Sequence, residues 1–542
     1  MSTSALFLAL QALGISAATA AAYAAYLLFV LPLTSPLRLL PGPRFKGLFS
    51  HDHMKWLLHG ERSASIGEQL IAAHGRNFRI QGLGPWDDRL FTLDPVAVSH
   101  IMNRPQDYHK PWQSRRLISS LIGDGLLSSE GQQHKMQRRV LNPTFSVQNL
   151  RALAPVLLAK AEELRDKWLA IVTSDTAPEK IDPNHWFGRA TFDIIGLAGF
   201  DYDFGAIQNE SNEVYLAYRD MFEVAINGGQ SYRSIAGIYF PILDKLLPDH
   251  RTRVVAKSRK IIDELGARMI TEKKAAIAAG GSAVGKDLLT LLLKSQIAKS
   301  TPSDQQISEE DMVNQINTFL FAGSDTTALA MTWILYHLTQ TSECQHRLRE
   351  ELSGVQIPED PQELFQELDQ LRYLDNVVRE GLRLVSPVHS TLRVANNDDD
   401  IPVSEPIKLR NGRVVRSVRI RKGQIVHIPM EGFNLDRNIW GSDAWSFNPD
   451  RWDQVPESTN VLPGIYAKTM TFSMGPRACI GLRLSLMEIK IFLFILLTRF
   501  EFRDSDTVYK SNVVLTRPYV RGKPGLGSQC PMRIVPLPGR NS

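Results

Sequence analysis

The sequence predicts a mainly α-helical fold with small β-sheets, preceded by a transmembrane helix at the N-terminus. Three observations carry this. Glu309 to Leu338 keeps helical periodicity without a proline, and Ser308 with Asp311 three residues on is close to a capping box. "GRATFDIIGLAGFDYDF" and "RLSLMEIKIFLFILLTRF" are apolar on nearly all sides, as buried helices are. Extended segments are short by comparison: Phe78–Gln81, Leu90–Leu93 and one late hairpin.

Taken in chain order, the N-terminus comes first. No charged side chain occurs from Met1 to Leu37, and Leu6 to Leu33 is nearly all apolar. That run exceeds the ~20 residues a membrane helix needs. Pro32 and Pro36 end it, and Arg38, Arg44 and Lys46 follow, which places the body of the chain in the cytosol. The rival reading is a cleaved signal peptide. A missing basic n-region and the length of the apolar run argue against it. Residues 1–37 are therefore expected to be a membrane anchor with its span over about 6–33. Residues 38–50 read as a stiff, proline-rich hinge, and 51–542 as one catalytic domain.

Within that body, "IKLRNGRVVRSVRI" carries Asn411-Gly412, the dipeptide favoured by two-residue hairpin turns. "AAGGSAVGKD" (Ala278–Asp287) reads as a surface loop between helices. Gly280, Gly285 and Lys286 have the spacing of a phosphate-binding loop. Asp287 stands where that loop needs Ser or Thr, and a helical stretch precedes it instead of a strand. Net charge is +5 and diffuse, without a Lys/Arg run or zinc-finger spacing, so nucleic acid is not an expected partner. Cys344, Cys479 and Cys530 are odd in number and far apart. They exclude a disulfide framework and a four-cysteine metal cluster, and they suit a reducing compartment.

Two stretches carry chemistry. In the long helix, Gly323-Ser324-Asp325-Thr326-Thr327 interrupts an apolar run. A mid-helix Gly costs about 1 kcal/mol against Ala, and an acid is costly to bury without partners. The second is "TFSMGPRACIGLRLSLMEIK". A lone cysteine is usually an inert small hydrophobe, but the neighbours of Cys479 argue for more. Gly475 permits a turn other residues resist. Gly481 opens a helix with no side chain to hold a flat ligand away, and the free N–H groups there would stabilise a thiolate. Arg477 offers a planar fork for a carboxylate. A flat, carboxylate-bearing cofactor ligated by one thiolate is haem.

Phe472, Gly475, Arg477, Cys479 and Gly481 match the haem loop of the cytochrome P450 family at every position, and the chain resembles that family. Upstream, "AGSDTT" (Ala322–Thr327) is similar to its oxygen-binding helix segment. "EGLR" (Glu380–Arg383) resembles its Glu-x-x-Arg element, and "FNPDRW" (Phe447–Trp452) its Pro-x-Arg segment. The resemblance implies the cytochrome P450 fold, with haem b (iron protoporphyrin IX) between the long helix and the Cys479 loop, and Cys479 as axial iron ligand. It implies a buried Glu380–Arg383–Arg451 network supporting that loop. It places Arg138 and Arg393 against the haem propionates, with His134 where the family often has Trp, either donating to a propionate or filling space. It also implies that Gly323 lets the helix pass close to the haem. Thr326 then bonds the Ala322 carbonyl four residues back, and Asp325 relays protons to Thr326.

The implied activity is a monooxygenase placing one atom of O₂ into a lipophilic substrate, with electrons from NADPH-cytochrome P450 reductase and cytochrome b5 as an optional second donor. The apolar character of the expected pocket walls, such as Asn317–Phe321 and Val388–Thr391, suits such a substrate. Lys135, Arg139 and Arg483 are candidates for the basic face that meets the reductase. The expected setting is the endoplasmic reticulum membrane, single-pass, with the domain cytosolic and in contact with membrane lipid. Secondary metabolism of terpenoids or polyketides is the first reading. Broad oxidation of aromatic xenobiotics, or a haem-thiolate isomerase or dehydratase, are the alternatives.

Overall fold

The N-terminal apolar run folds as one helical rod. It is α-helical over Thr3–Ala25, widens to a π turn at Tyr26–Val30, and closes with Leu31–Thr34. In this computed structural model residues 3–44, 62–174, 178–227, 232–279, 287–297, 307–512 and 514–538 are described. Gln11–Thr34 is long and apolar enough to cross a membrane, and the apolar stretch that qualifies it is not buried against protein. Pro32 does not end the rod as the sequence suggests. It sits in the first turn of Leu31–Thr34, just after the π turn, where its missing N–H costs little. The helix stops at Thr34, because Ser35 precedes Pro36 and is extended.

The chain divides into two compact units, residues 1–109 with 390–433, and residues 110–389 with 434–542. The first is built on a five-stranded sheet. Asn77–Gln81 pairs antiparallel with Asp88–Thr92, which lies parallel to Ile425–Ile428. Thr391–Ala395 and then Tyr108–His109 follow, both antiparallel. The part of the expected hinge that is described is docked on this unit. Leu37 and Leu40 are buried, and the Arg79 and Arg410 backbone N–H groups donate to Pro41 and Leu39 at 2.8 Å each. Residues 45–50 of the hinge, and Gly280, Gly285 and Lys286, lie outside the described residues.

The late hairpin forms between Asp399–Lys408 and Val414–Ile420, but its turn is not a two-residue one. The Gly412 N–H donates to Leu409 O at 2.9 Å, and the Leu409 N–H donates to Arg413 O at 2.8 Å. Asn411 has no positive φ, while Gly412 has φ +84°. The loop therefore spans Arg410–Gly412, with the glycine taking the left-handed position.

The second unit is mainly helical. Its central element is the 32-residue helix Glu309–Gln340, begun by the Ser308–Asp311 capping box with both reciprocal bonds present. Pro183–Phe200 packs along it. This helix is capped by Asp182, which accepts from the Asn184 N–H, and ends where Asp201 turns left-handed. Leu482–Leu497 and Arg372–Leu384 flank the long helix, and the small hairpin Val508–Asn512/Thr516–Val520 closes on it through Trp333 Nε1, which donates to Thr516 O at 2.9 Å.

Gly323 serves a different contact from the one the motif implies. A Cβ there would come within 2.8 Å of Ile195 Cδ1, so the glycine admits the side chain of the neighbouring helix. Its close approach is helix-to-helix packing.

Candidate active site

The Cys479 loop is shaped by its glycines. Gly475 has φ +66° and starts the short helical turn Gly475–Arg477. The Cys479 N–H then donates to Phe472 O at 3.0 Å, folding the loop back on its entry. Phe472 is buried against Tyr466, ring edge to face, with centroids 5.5 Å apart. Gly481 is the N-cap of Leu482–Leu497. Burial pushes the Cys479 thiol up. Against that act the Gly481 N–H, the Arg138 charge and the Leu482 N–H. The side chain is nonetheless exposed by area.

Arg138, on Gly131–Leu141, donates to Ala478 O at 2.7 Å, tying that helix to the residue before Cys479. His134 lies one turn earlier and is buried. Burial, then the charges of Arg477, Lys110 and Arg138, hold its pKa down at about 3, so it is a neutral imidazole among cations. Arg477 is less free than the sequence suggests. It donates to Ser129 O at 2.8 Å and pairs with Glu130, a carboxylate the sequence did not single out. Arg393 belongs to the other unit, where it is buried on Thr391–Ala395 and donates to Thr391 Oγ1 and Leu392 O.

On the long helix, Thr326 Oγ1 donates to Ala322 O at 2.8 Å, as expected from the motif. Asp325 does not turn toward Thr326, and no hydrogen bond joins them. Its carboxylate pairs with Arg517 of strand Thr516–Val520, both side chains being largely buried. The pair sits in the wall of a cavity of about 170 Å³ that Tyr215, Tyr218, His185 and Glu223 also line. Burial, and then the Asp325 charge, push the Tyr218 hydroxyl well up, so it stays protonated; its oxygen accepts from Ser324 Oγ at 3.1 Å. Sequence reasoning did not find Arg517 as a partner of Asp325. The available signal was a lone charge in "VVLTRPYV".

Glu380, Arg383 and Arg451 are brought together. Arg383 donates to both Glu380 oxygens, at 2.9 and 2.7 Å, with both side chains wholly buried. The same carboxylate accepts from Asn448 N–H at 3.0 Å and Trp452 Nε1 at 3.1 Å. Arg451 reaches it at 3.4 Å, yet holds Asp443 in a two-point grip at 2.6 and 2.9 Å. That hydrogen bonding draws the Asp443 carboxyl down to about 2. Asp443 was not anticipated.

These residues fit haem. Cys479 is exposed, and even a Cβ on Gly481 would stand 4.0 Å from its sulfur, so Gly481 does not crowd the ligand position. Arg138, Arg477 and Lys110 gather positive charge around His134, as propionates require.

Comparison with known proteins agrees. The family model described as Cytochrome P450 matches residues 53–519. The chain is 38% identical over 549 residues to cytochrome P450 monooxygenase 205 of Postia placenta, covering 97% of this chain and 98% of that protein. It is 38% identical over 537 residues to monooxygenase 128 of the same fungus, covering 95% and 96%. It is 32% identical over 515 residues to monooxygenase claP of Ampulloclitocybe clavipes, covering 92% and 93%.

Proposed function

The chain belongs to the cytochrome P450 family of haem-containing monooxygenases, and from that premise we propose that it oxidises a lipophilic intermediate of fungal secondary metabolism, a terpenoid or polyketide. Its electrons come from NADPH through a separate membrane-bound reductase, with cytochrome b5 as an optional donor. The apolar rod Gln11–Thr34 followed by Arg38 and Arg44 supports a single span with the catalytic domain cytosolic, at the endoplasmic reticulum. Exposed Lys135, Arg139 and Arg483 suit a basic docking face for the reductase.

Bound haem supplies O₂ activation and oxygen insertion. The protein's part is orientation and proton supply. Cys479 would hold the haem iron through its sulfur, positioned by the Phe472–Gly475 turn and the Gly481 helix start. Arg138 and Arg477 would neutralise the propionates, a role the family resemblance also gives to Arg393. The neutral ring of His134 adds no charge and is suited to donate an N–H to one of them. Thr326 presents a hydroxyl anchored on Ala322 O. Asp325, fixed as a carboxylate partner of Arg517, passes protons between the polar cavity and the helix. Glu380, Arg383 and Arg451 stiffen the frame behind the Cys479 loop.

The observation that carries this reading is an exposed Cys479 between the left-handed Gly475 turn and the Gly481 helix start, with Arg138 bonded to the neighbouring Ala478 O. The test is incubation of the membrane-anchored chain and its reductase with a fungal metabolite library under ¹⁸O₂. A product carrying one heavy oxygen, formed only with NADPH, is expected. Conversion without NADPH or label would favour an isomerase or dehydratase.

A further inference from the structure

Asn434 lies near the end of the short helix Met430–Leu435, and its side chain is completely buried. Its amide is used on both sides. Oδ1 accepts the Met470 N–H at 2.9 Å, and Nδ2 donates to Ser386 Oγ at 2.9 Å and Thr471 Oγ1 at 3.0 Å. Its backbone oxygen accepts from Arg383 at 2.8 Å. Thr471 Oγ1 in turn donates to Leu382 O at 2.8 Å. A buried amide that spends both donors on neighbours fixes distances that apolar packing would leave soft.

The position of these bonds along the chain gives them a role. Met470 and Thr471 are the residues gripped from outside just before the backbone enters the cysteine loop. Ser473 takes φ +61° and Gly475 φ +66°, and the Cys479 N–H returns to Phe472 O. The loop therefore hangs from Met470–Phe472. The Glu380–Arg383 pair makes no bond to that stretch itself, but Arg383 bonds the Asn434 carbonyl and Asn434 bonds Met470 and Thr471. We infer that Asn434 is a positioning residue for the Cys479 sulfur, transmitting the rigidity of the buried ion network to the thiolate loop. This rests on Cys479 being the haem ligand.

The test uses the full-length holoprotein and its reduced carbon-monoxide spectrum, with haem transfer to apomyoglobin and thermal melting measured beside it. Gln345→Ala is the matched control, since Gln345 is an equally buried amide that bonds Leu338 O, Phe502 O and Phe502 N–H far from the loop. Asn434→Ala should convert much of the red-shifted band to the shorter-wavelength band of haem without thiolate, and speed haem transfer about tenfold. Asn434→Asp, which keeps the acceptor for Met470, should convert a smaller fraction. Gln345→Ala should melt early with its band and transfer rate unchanged. A purely structural Asn434 would behave like the control, and an Asn434→Ala holoprotein with the parent band and transfer rate overturns the inference. If Asn434→Ala does not fold, an Asn434→Asp band identical to the parent overturns it, and a displaced one supports it. A parent chain lacking the red-shifted band would instead strike the ligand reading itself.

Discussion

Replacing Asp325 by asparagine is the most informative change on the long helix, because it alters two things that can be separated. The Asp325 and Arg517 side chains are 14% and 16% exposed, so the pair is desolvated. Asn keeps the shape but leaves the Arg517 charge in the cavity wall, with its Nε already lacking a partner. Breaking one side of such a pair costs about 3–5 kcal/mol. A second change, Arg517→Gln, removes the stranded charge. Much of that cost is the uncompensated buried charge, so the double variant, which has none and can pair one amide with the other, should recover most of the loss. Turnover should not recover. A positioned proton carrier contributes ~10²–10⁴-fold, and neither variant has one. The assays are thermal melting together with NADPH consumed, product formed and hydrogen peroxide released in the reductase-coupled system. Early melting and poor coupling are expected for Asp325→Asn, and normal melting with poor coupling for the double variant. A double variant with full coupled turnover would show that Asp325 only neutralises Arg517.

Glu380→Ala should leave little holoprotein, since it strands Arg383 in a fully buried site at a cost of about 3–5 kcal/mol; normal haem content by absorbance would contradict this. Asp443→Asn, whose side chain is 43% exposed, should cost only about 1 kcal/mol in the same melting assay. Burial pushes the Glu488 carboxyl up to about 8, above its ordinary value of 4.5. The folded state then keeps a proton the unfolded chain loses, so this group's stability contribution is full below about 4.5 and is lost as pH rises to about 8. Glu488→Gln should therefore gain in melting temperature over the parent between pH 5 and pH 8; parallel pH curves would refute the buried neutral acid. Deletion of Met1–Leu37 should loosen membrane attachment and, because Leu37 is buried in the first unit, lower stability slightly while haem is retained; loss of haem would mean the rod is part of the fold.

The features legible in the sequence were those whose partners lie within a turn or two. The capping box fixed the start of the long helix, Glu380 and Arg383 fall three apart on one helical face, and Gly475 marked a left-handed turn. Thr326 found the carbonyl its helical spacing offers. The contacts that sequence reasoning missed have remote partners. Asp325 meets Arg517 from 192 positions away, and no periodicity links a helix acid to a hairpin arginine. Asn434 sits in a helix of only six residues and Asp443 in a turn, where too few positions repeat for spacing to say which side chain will be enclosed. Gly323 was assigned to the cofactor although a close helix neighbour explains it equally from sequence, and only the position of Ile195 decides. Asn411-Gly412 fits a two-residue turn and a three-residue loop alike, since both want glycine left-handed.

The central claim is that Cys479 binds haem iron as a thiolate. Its most direct test is the carbon-monoxide difference spectrum of the reduced chain beside that of Cys479→Ala. The account predicts a strongly red-shifted Soret band in the parent and none in the variant. A parent without that band, or a variant that keeps it, would place the iron ligand elsewhere.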